Sequence, residues 1–401
     1  MSRRETASSV LSDAISGWLA EEALGNSQPP ALFHELCLRL RAAGISVMRG
    51  SVAFTVLHPL FAATALTWTT TGMDVQLFAP ENQQTEAFLR SPMRHALEHG
   101  LPLLRRRLTG RTALLDFPVL PELRDEGGHD YLLLLVPFDG RNLPPGPRRR
   151  GVITTWLSDR PSGFTDGEIS LLQRITSRLA VALKGRLEHA IAENVASAYL
   201  GHAAGQAVLS GAIHRGDGEK IDAALWYSDL RHSSTLADHD TAEGFLAVLN
   251  RYFEMTAGAI TQHGGEVVSF IGDAVLGFFR NGSPAESCAA ALAAAEEARS
   301  RLAAHLPHAG APPLAFGIGL HFGQVIYGNV GIPDRLQFTL VGAPVNEVAR
   351  LEGLTKTLAC PLLASAPFAA ALPRAWRSLG QHSLRGIDRP TEVFTTLAPT
   401  Q

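Results

Sequence analysis

Cysteine is nearly missing: three of 401 residues, Cys37, Cys288 and Cys360, with no close spacing among them. That excludes a disulfide framework and a cysteine-based zinc site, and it fits a reducing cytosol. Long apolar runs are missing too. Val52 to Trp68 is interrupted by His58 and Pro59, whereas a membrane span needs about 20 apolar residues in a row. The first residues, Met1-Ser2-Arg3-Arg4-Glu5-Thr6, are polar and lead into no apolar signal core. Nor is there an excess of one charge: the formal net charge is −3, which excludes a strongly basic footprint for nucleic acid. The expectation is a cytoplasmic protein with no nucleic-acid or membrane partner. A hydrophobic fraction of 46% is ample for packed cores, and the length suits about two domains.

Residues 1–29 read as a loosely ordered lead-in. Ala31 to Ala43 then carries Leu32, Leu36 and Leu40 at helical spacing. Strand-like runs follow at Val52–Leu57, Ala62–Thr69 and Val75–Phe78, and Glu86–His99 reads as helical. Leu101 to Glu126 has no firm pattern. Tyr131–Phe138 and Gly151–Trp156 are strands separated by the loop Asn142–Arg150, and Thr165-Asp166-Gly167-Glu168 opens a long helix with an N-cap and an acidic first turn. This order predicts an α+β module around one antiparallel sheet. Gly151-Val152-Ile153-Thr154-Thr155-Trp156, followed by Phe164-Thr165-Asp166 and the closing helix, resembles a GAF domain over residues 30–187. The resemblance implies a regulatory domain with a small-molecule or protein ligand. Residues 188–218 read as a helical linker, able to transmit twist or register or to act as a spacer.

The rest of the chain, 219–401, is organised around Val267-Val268-Ser269-Phe270-Ile271-Gly272-Asp273-Ala274-Val275-Leu276-Gly277-Phe278-Phe279. Two short apolar runs joined by Gly-Asp spell a tight hairpin. Alone, Asp273 would be a turn residue. A second apolar strand, Ala223 to Tyr227, also leads into an aspartate, Asp229. Two carboxylates at strand ends are what hard divalent cations bridging a triphosphate require. Helices at Glu243–His263 and Ala285–Leu302 alternate with these strands and with Leu314–Phe322, a β-α-β-β-α-β order that is ferredoxin-like in outline.

Here a family resemblance becomes specific. Tyr227-Ser228-Asp229-Leu230-Arg231, Phe270-Ile271-Gly272-Asp273, Gly328-Asn329-Val330-Gly331, the run from Gly342 to Glu352, and Leu384-Arg385-Gly386-Ile387 resemble, in register, the class III nucleotidyl cyclase catalytic domain. The resemblance implies a homodimer that converts a nucleoside triphosphate to a 3′,5′-cyclic nucleotide. Asp229 and Asp273 would hold two Mg²⁺ or Mn²⁺ ions per site. Asn346 would orient the ribose, and Arg350, four residues on and so on the same helical face, would stabilise charge at the α-phosphorus. Arg385 stands where the family commonly has a triphosphate-binding lysine, and Leu230, His232, Ser233 and Ser234 fall in the phosphate-binding segment.

Two positions depart from the pattern. The family usually reads Gly-Phe-Thr where this chain has His232-Ser233-Ser234. The base-contacting positions are Ser269, where adenylyl cyclases commonly have Lys, and Thr339, a known type of adenine-side partner. Guanylyl cyclases usually place Glu and Cys there. Hydroxyls donate or accept, so ATP is favoured while GTP or a pyrimidine triphosphate stays open. A catalytically silent dimeric signalling module is the alternative of another class.

Overall fold

The computed structural model describes residues 3–25, 27–56, 58, 60–138, 150–233, 235–236, 241–305, 314–385 and 390–397. The chain divides into two compact units, Met1–Val195 and Ala196–Gln401. No helix among the described residues is long and apolar enough to cross a membrane.

The first unit opens with α1 (Arg3–Leu24), α2 (Pro29–Ala42), β1 (Arg49–Thr55), β2 (Ala63–Thr69) and β3 (Gly72–Phe78). It continues with α3 (Glu86–Leu89), α4 (Pro92–His99), β4 (Leu103–Arg107), α5 (Val119–Asp125), β5 (Asp130–Pro137), β6 (Gly151–Ser158) and α6 (Asp166–Leu200). The strands form one sheet in the order β3-β2-β1-β6-β5-β4, every neighbour antiparallel. One core joins Leu32 and Leu36 of α2, Trp68 of β2, Trp156 of β6, and Ile175 and Leu179 of α6. A second joins Ala96 of α4 and Leu120 and Leu123 of α5 to Tyr131 and Leu133 of β5. The alternation of β5 explains the split, because successive side chains point to opposite faces. Fully buried Asp130 takes Arg105 at 2.7 Å and accepts the Phe164 N–H at 2.8 Å. That pins the loop entering α6.

The lead-in is corrected. Residues 3–24 are helical, and Ile15 and Leu19, four apart, are 4% and 1% exposed within the first core. Helical spacing of large apolar residues overrides the polar composition around them. Residues 142–149 of the expected β5–β6 loop lie outside the described residues.

The second unit contains α7 (His202–Leu209), β7 (Gly218–Leu230), α8 (Ala242–Gln262), β8 (Glu266–Ile271), β9 (Ala274–Phe279), α9 (Pro284–Ala304) and β10 (Phe316–Ile332). Then come β11 (Arg335–Val341), α10 (Ala343–Thr357), β12 (Leu362–Ser365), α11 (Ala366–Ala371), β13 (Trp376–His382) and β14 (Thr391–Thr396). The central strands run β10-β7-β9-β8, all antiparallel, which is the expected ferredoxin-like β-α-β-β-α-β pattern. β12, β14 and β13 extend the sheet beyond β10, and β11 pairs with the far end of β10.

The two faces of β7 sort the packing. Ala224, Trp226 and Leu230 meet Tyr252 and Ile260 of α8 and the alanines of α9. Ile221, Ala223 and Leu225 meet Ala204 of α7 and Val348 of α10.

The stretch 188–218 is only partly the helix expected. α6 ends at Leu200, Gly201 takes φ 86°, and α7 ends at Leu209. Residues 212–217 are then tied to β10: Asn329 donates to the Ala212 carbonyl at 2.6 Å and accepts the Gly216 N–H at 3.1 Å, and its own N–H reaches the Asp217 carbonyl at 2.7 Å. Asn329 is 5% exposed and works as a fastener.

Candidate active site

Asp229 occupies the penultimate position of β7, and Asp273 follows Gly272, which turns the β8–β9 hairpin at φ 63°. The β7–β9 register sets Asp229 opposite Ala274, and the Leu230 N–H donates to the Asp273 carbonyl at 3.3 Å. Both aspartates therefore stand at one end of the sheet. Burial raises the Asp229 carboxyl above the usual carboxylate range; the Lys356 ammonium pulls it down, and the Asp273 charge and hydrogen bond push it up. Among the described residues no cluster of three or more His, Cys, Asp or Glu could hold a metal ion. Two carboxylates and a cation partner are what this end of the sheet offers.

Alternation puts Asp229 on the α10 face of β7, and α10 answers it. Lys356 Nζ lies 3.1 Å from Asp229 Oδ2. Glu352, one turn earlier and 3% exposed, lies 3.3 Å from Arg231, which also donates to Thr355. Burial first, then Asp229, raises the Glu352 carboxyl, while Arg231 lowers it. Tyr227 is likewise raised by burial and by the nearby Asp229, Glu352 and Asp273 charges. The helix approaches this closely because β10 carries glycines: a Cβ on Gly319 would stand 2.7 Å from the Val348 carbonyl and 2.8 Å from the Glu352 nitrogen. Tyr227, Arg231 and Glu352 fell within the motifs read from sequence but were given no role there, and Lys356 lay outside those motifs.

The other expected residues are distributed as follows. Asn346 is exposed and Arg350 half-buried on α10, and neither side chain has a hydrogen bond or ion pair among the described residues. Ser269 lies on β8 and Thr339 on β11, two strands in contact, both half-buried. Arg385 is exposed after β13; Gly386 and Ile387 lie outside the described residues. The Leu230 side chain is 1% exposed in the core under α8, leaving only its backbone for the site. His232 is exposed at φ 59° and Ser233 is half-buried, while Ser234 lies outside the described residues. His232 thus adopts the left-handed conformation that suits glycine, at a cost of roughly 1–2 kcal/mol.

His321 of β10 is 4% exposed, with Nε2 3.7 Å from Glu347 of α10 and Nδ1 without a hydrogen-bond partner among the described residues. Burial pulls its imidazole down to about 4. The folded state keeps it neutral, whereas the unfolded chain protonates it near 6.5. Between those values the unfolded state binds the extra proton, so stability falls as pH drops through the window, by about 3 kcal/mol in all. The melting temperature of His321→Gln should fall less than that of the native chain between pH 7 and pH 4.5. Equal falls would contradict this assignment.

Residues 218–362 match the family described as the adenylate and guanylate cyclase catalytic domain. An uncharacterized protein of Mycobacterium tuberculosis strain H37Rv is 38% identical over 184 residues, covering 44% of this chain and 33% of that protein. The chain spans about a third of the length of such relatives. A bacterial light-regulated adenylyl cyclase structure is 32% identical, covering 44% of this chain and 90% of that one, with a TM-score of 0.40. The guanylyl cyclase Cya2 structure is 27% identical, covering 44% of this chain and 92% of that one, also at 0.40.

Proposed function

We propose that the cyclase catalytic domain in this chain is active, converting a nucleoside triphosphate, ATP in preference to GTP, to its 3′,5′-cyclic nucleotide and pyrophosphate in a cytoplasmic homodimer. The observation that carries this reading is the pairing of Asp229 with Asp273 at the open end of β7, with an ammonium already seated against one carboxylate. A cation standing there fits a donor set made for hard cations. Two Mg²⁺ or Mn²⁺ ions bound there would supply charge for the ribose 3′-oxygen and for the leaving pyrophosphate. The substrate's phosphates would supply the further oxygen ligands that such ions need beyond two carboxylates.

In the reaction the ribose 3′-hydroxyl loses its proton to solvent, its oxygen bonds the α-phosphorus, and the bond to the leaving pyrophosphate breaks. Arg350 neutralises charge growing on the α-phosphoryl oxygens, a task suited to a planar guanidinium. Asn346 holds the ribose, Arg385 the triphosphate, and the backbone around Leu230, His232, Ser233 and Ser234 the phosphates. Thr339 accepts from the adenine amino group, and Ser269 donates to a ring nitrogen.

The first unit is read as a GAF-like regulatory domain. It contains a cavity of about 510 Å³ lined by Ser51, Thr67, Gln76, Met93, Leu123 and Ile153, a volume suited to a small molecule.

Base choice is tested by competition between equal ATP and GTP with Mn²⁺, reading the ratio of cyclic products. ATP product should dominate. Ser269→Lys should raise that ratio severalfold, because a charged donor to a ring acceptor is stronger than a hydroxyl. An unchanged ratio would remove position 269 from the base pocket.

A further inference from the structure

Lys356 lies outside every motif that pointed to the site, yet among the described residues it is the cation paired with Asp229. The other nearby cation, Arg231, is committed to Glu352 and Thr355. The position of Lys356 is fixed by the close seating of α10 on β10 at Gly319. Its side chain is 55% exposed whereas that of Asp229 is 21% exposed. The ammonium can therefore swing away into water while the carboxylate stays in place. A carboxylate beside Asp273 and Glu352 needs a positive neighbour when no metal is bound.

We propose that Lys356 is a resident counter-cation of the active site: its ammonium holds Asp229 until a divalent cation takes that carboxylate, and the freed ammonium then pairs with the phosphates of the incoming nucleotide. This rests on the metal reading of Asp229 and Asp273 and adds to it a competitor and a coupling. A metal arriving alone must displace the ammonium into water, whereas a metal arriving with a nucleotide brings the anion that receives it. Lys356 thus favours the metal–nucleotide pair over the bare metal.

The test is Mn²⁺ binding to the full chain, read by electron paramagnetic resonance of free Mn²⁺, with and without a non-cyclisable triphosphate lacking the 3′-hydroxyl. Lys356→Met should bind Mn²⁺ roughly three- to tenfold more tightly without nucleotide, matching the loss of one partly screened competing charge. The same variant should bind the nucleotide at least about threefold more weakly. Lys356→Arg, which keeps the charge, should stay near the native values. Lys356→Gln repeats the charge loss should Met fold poorly. Equal Mn²⁺ affinity in the native chain and both neutral variants would overturn the proposal. Asp229→Asn separates the layers: if it leaves Mn²⁺ binding unchanged, the carboxylate reading fails before the lysine is in question.

Discussion

Asp273→Asn and Asp229→Asn should each lower turnover by about a hundredfold to a thousandfold, the scale on which a preorganised charge at a reacting centre acts. The exchange keeps size and shape and removes only the negative charge. Neither variant should lose its fold. Asp229 is held above the usual carboxylate range by burial and by its like-charged neighbour, so neutralising it relieves desolvation and repulsion while forfeiting the Lys356 pair. Thermal melting should stay within a few degrees of the native protein. Melting curves measured beside initial rates separate the two readouts. Native rates in both variants would dismiss the carboxylates as catalytic, and a matching collapse of the fold would make them structural.

The second large effect concerns how many chains make one site. In one protomer Asp229 pairs with Lys356, whereas Asn346 and Arg350 have no partner among the described residues. On an α-helix of 3.6 residues per turn, Lys356 stands about a third of a turn around from Arg350. The helix thus offers one side to its own aspartates and another outward. If sites are shared across a two-fold axis, carboxylates come from one protomer and Asn346 with Arg350 from its partner. Asp273→Ala and Arg350→Ala should each be inactive as homodimers. After mixing and subunit exchange, activity should return toward roughly a quarter of native, because random pairing makes about half the dimers mixed and each has one intact site. No recovery despite demonstrated exchange would rule the shared site out.

Much of this was legible from local pattern. The Gly272-Asp273 turn between two apolar runs, the apolar strand leading into Asp229 and the ferredoxin-like strand order are pattern signals, and the structure bears them out. Strict alternation also states that Leu230 points away from Asp229, into the core under α8. What pattern could not supply were meetings of distant residues. Lys356 and Asp229 are 127 positions apart, as Arg231 and Thr355 are 124 apart. Side-chain pairings of that kind leave no periodic trace. α1 was missed although Leu11, Ile15, Trp18 and Leu19 stand at helical spacing in the sequence, because the polar residues around them were given more weight; Ile15 and Leu19 are buried in the first core. His232 shows another limit: the pattern marks the departure from the family's Gly, and only the structure shows the backbone there at φ 59°.

Nucleotidyl cyclisation at Asp229 and Asp273 is tested by incubating the purified chain with each of the four nucleoside triphosphates and Mn²⁺ and identifying the products by mass. The native chain should yield 3′,5′-cyclic AMP with one pyrophosphate released per product, and Asp273→Asn should not. Finding no cyclic nucleotide from any triphosphate, with the protein folded and dimeric, would contradict it.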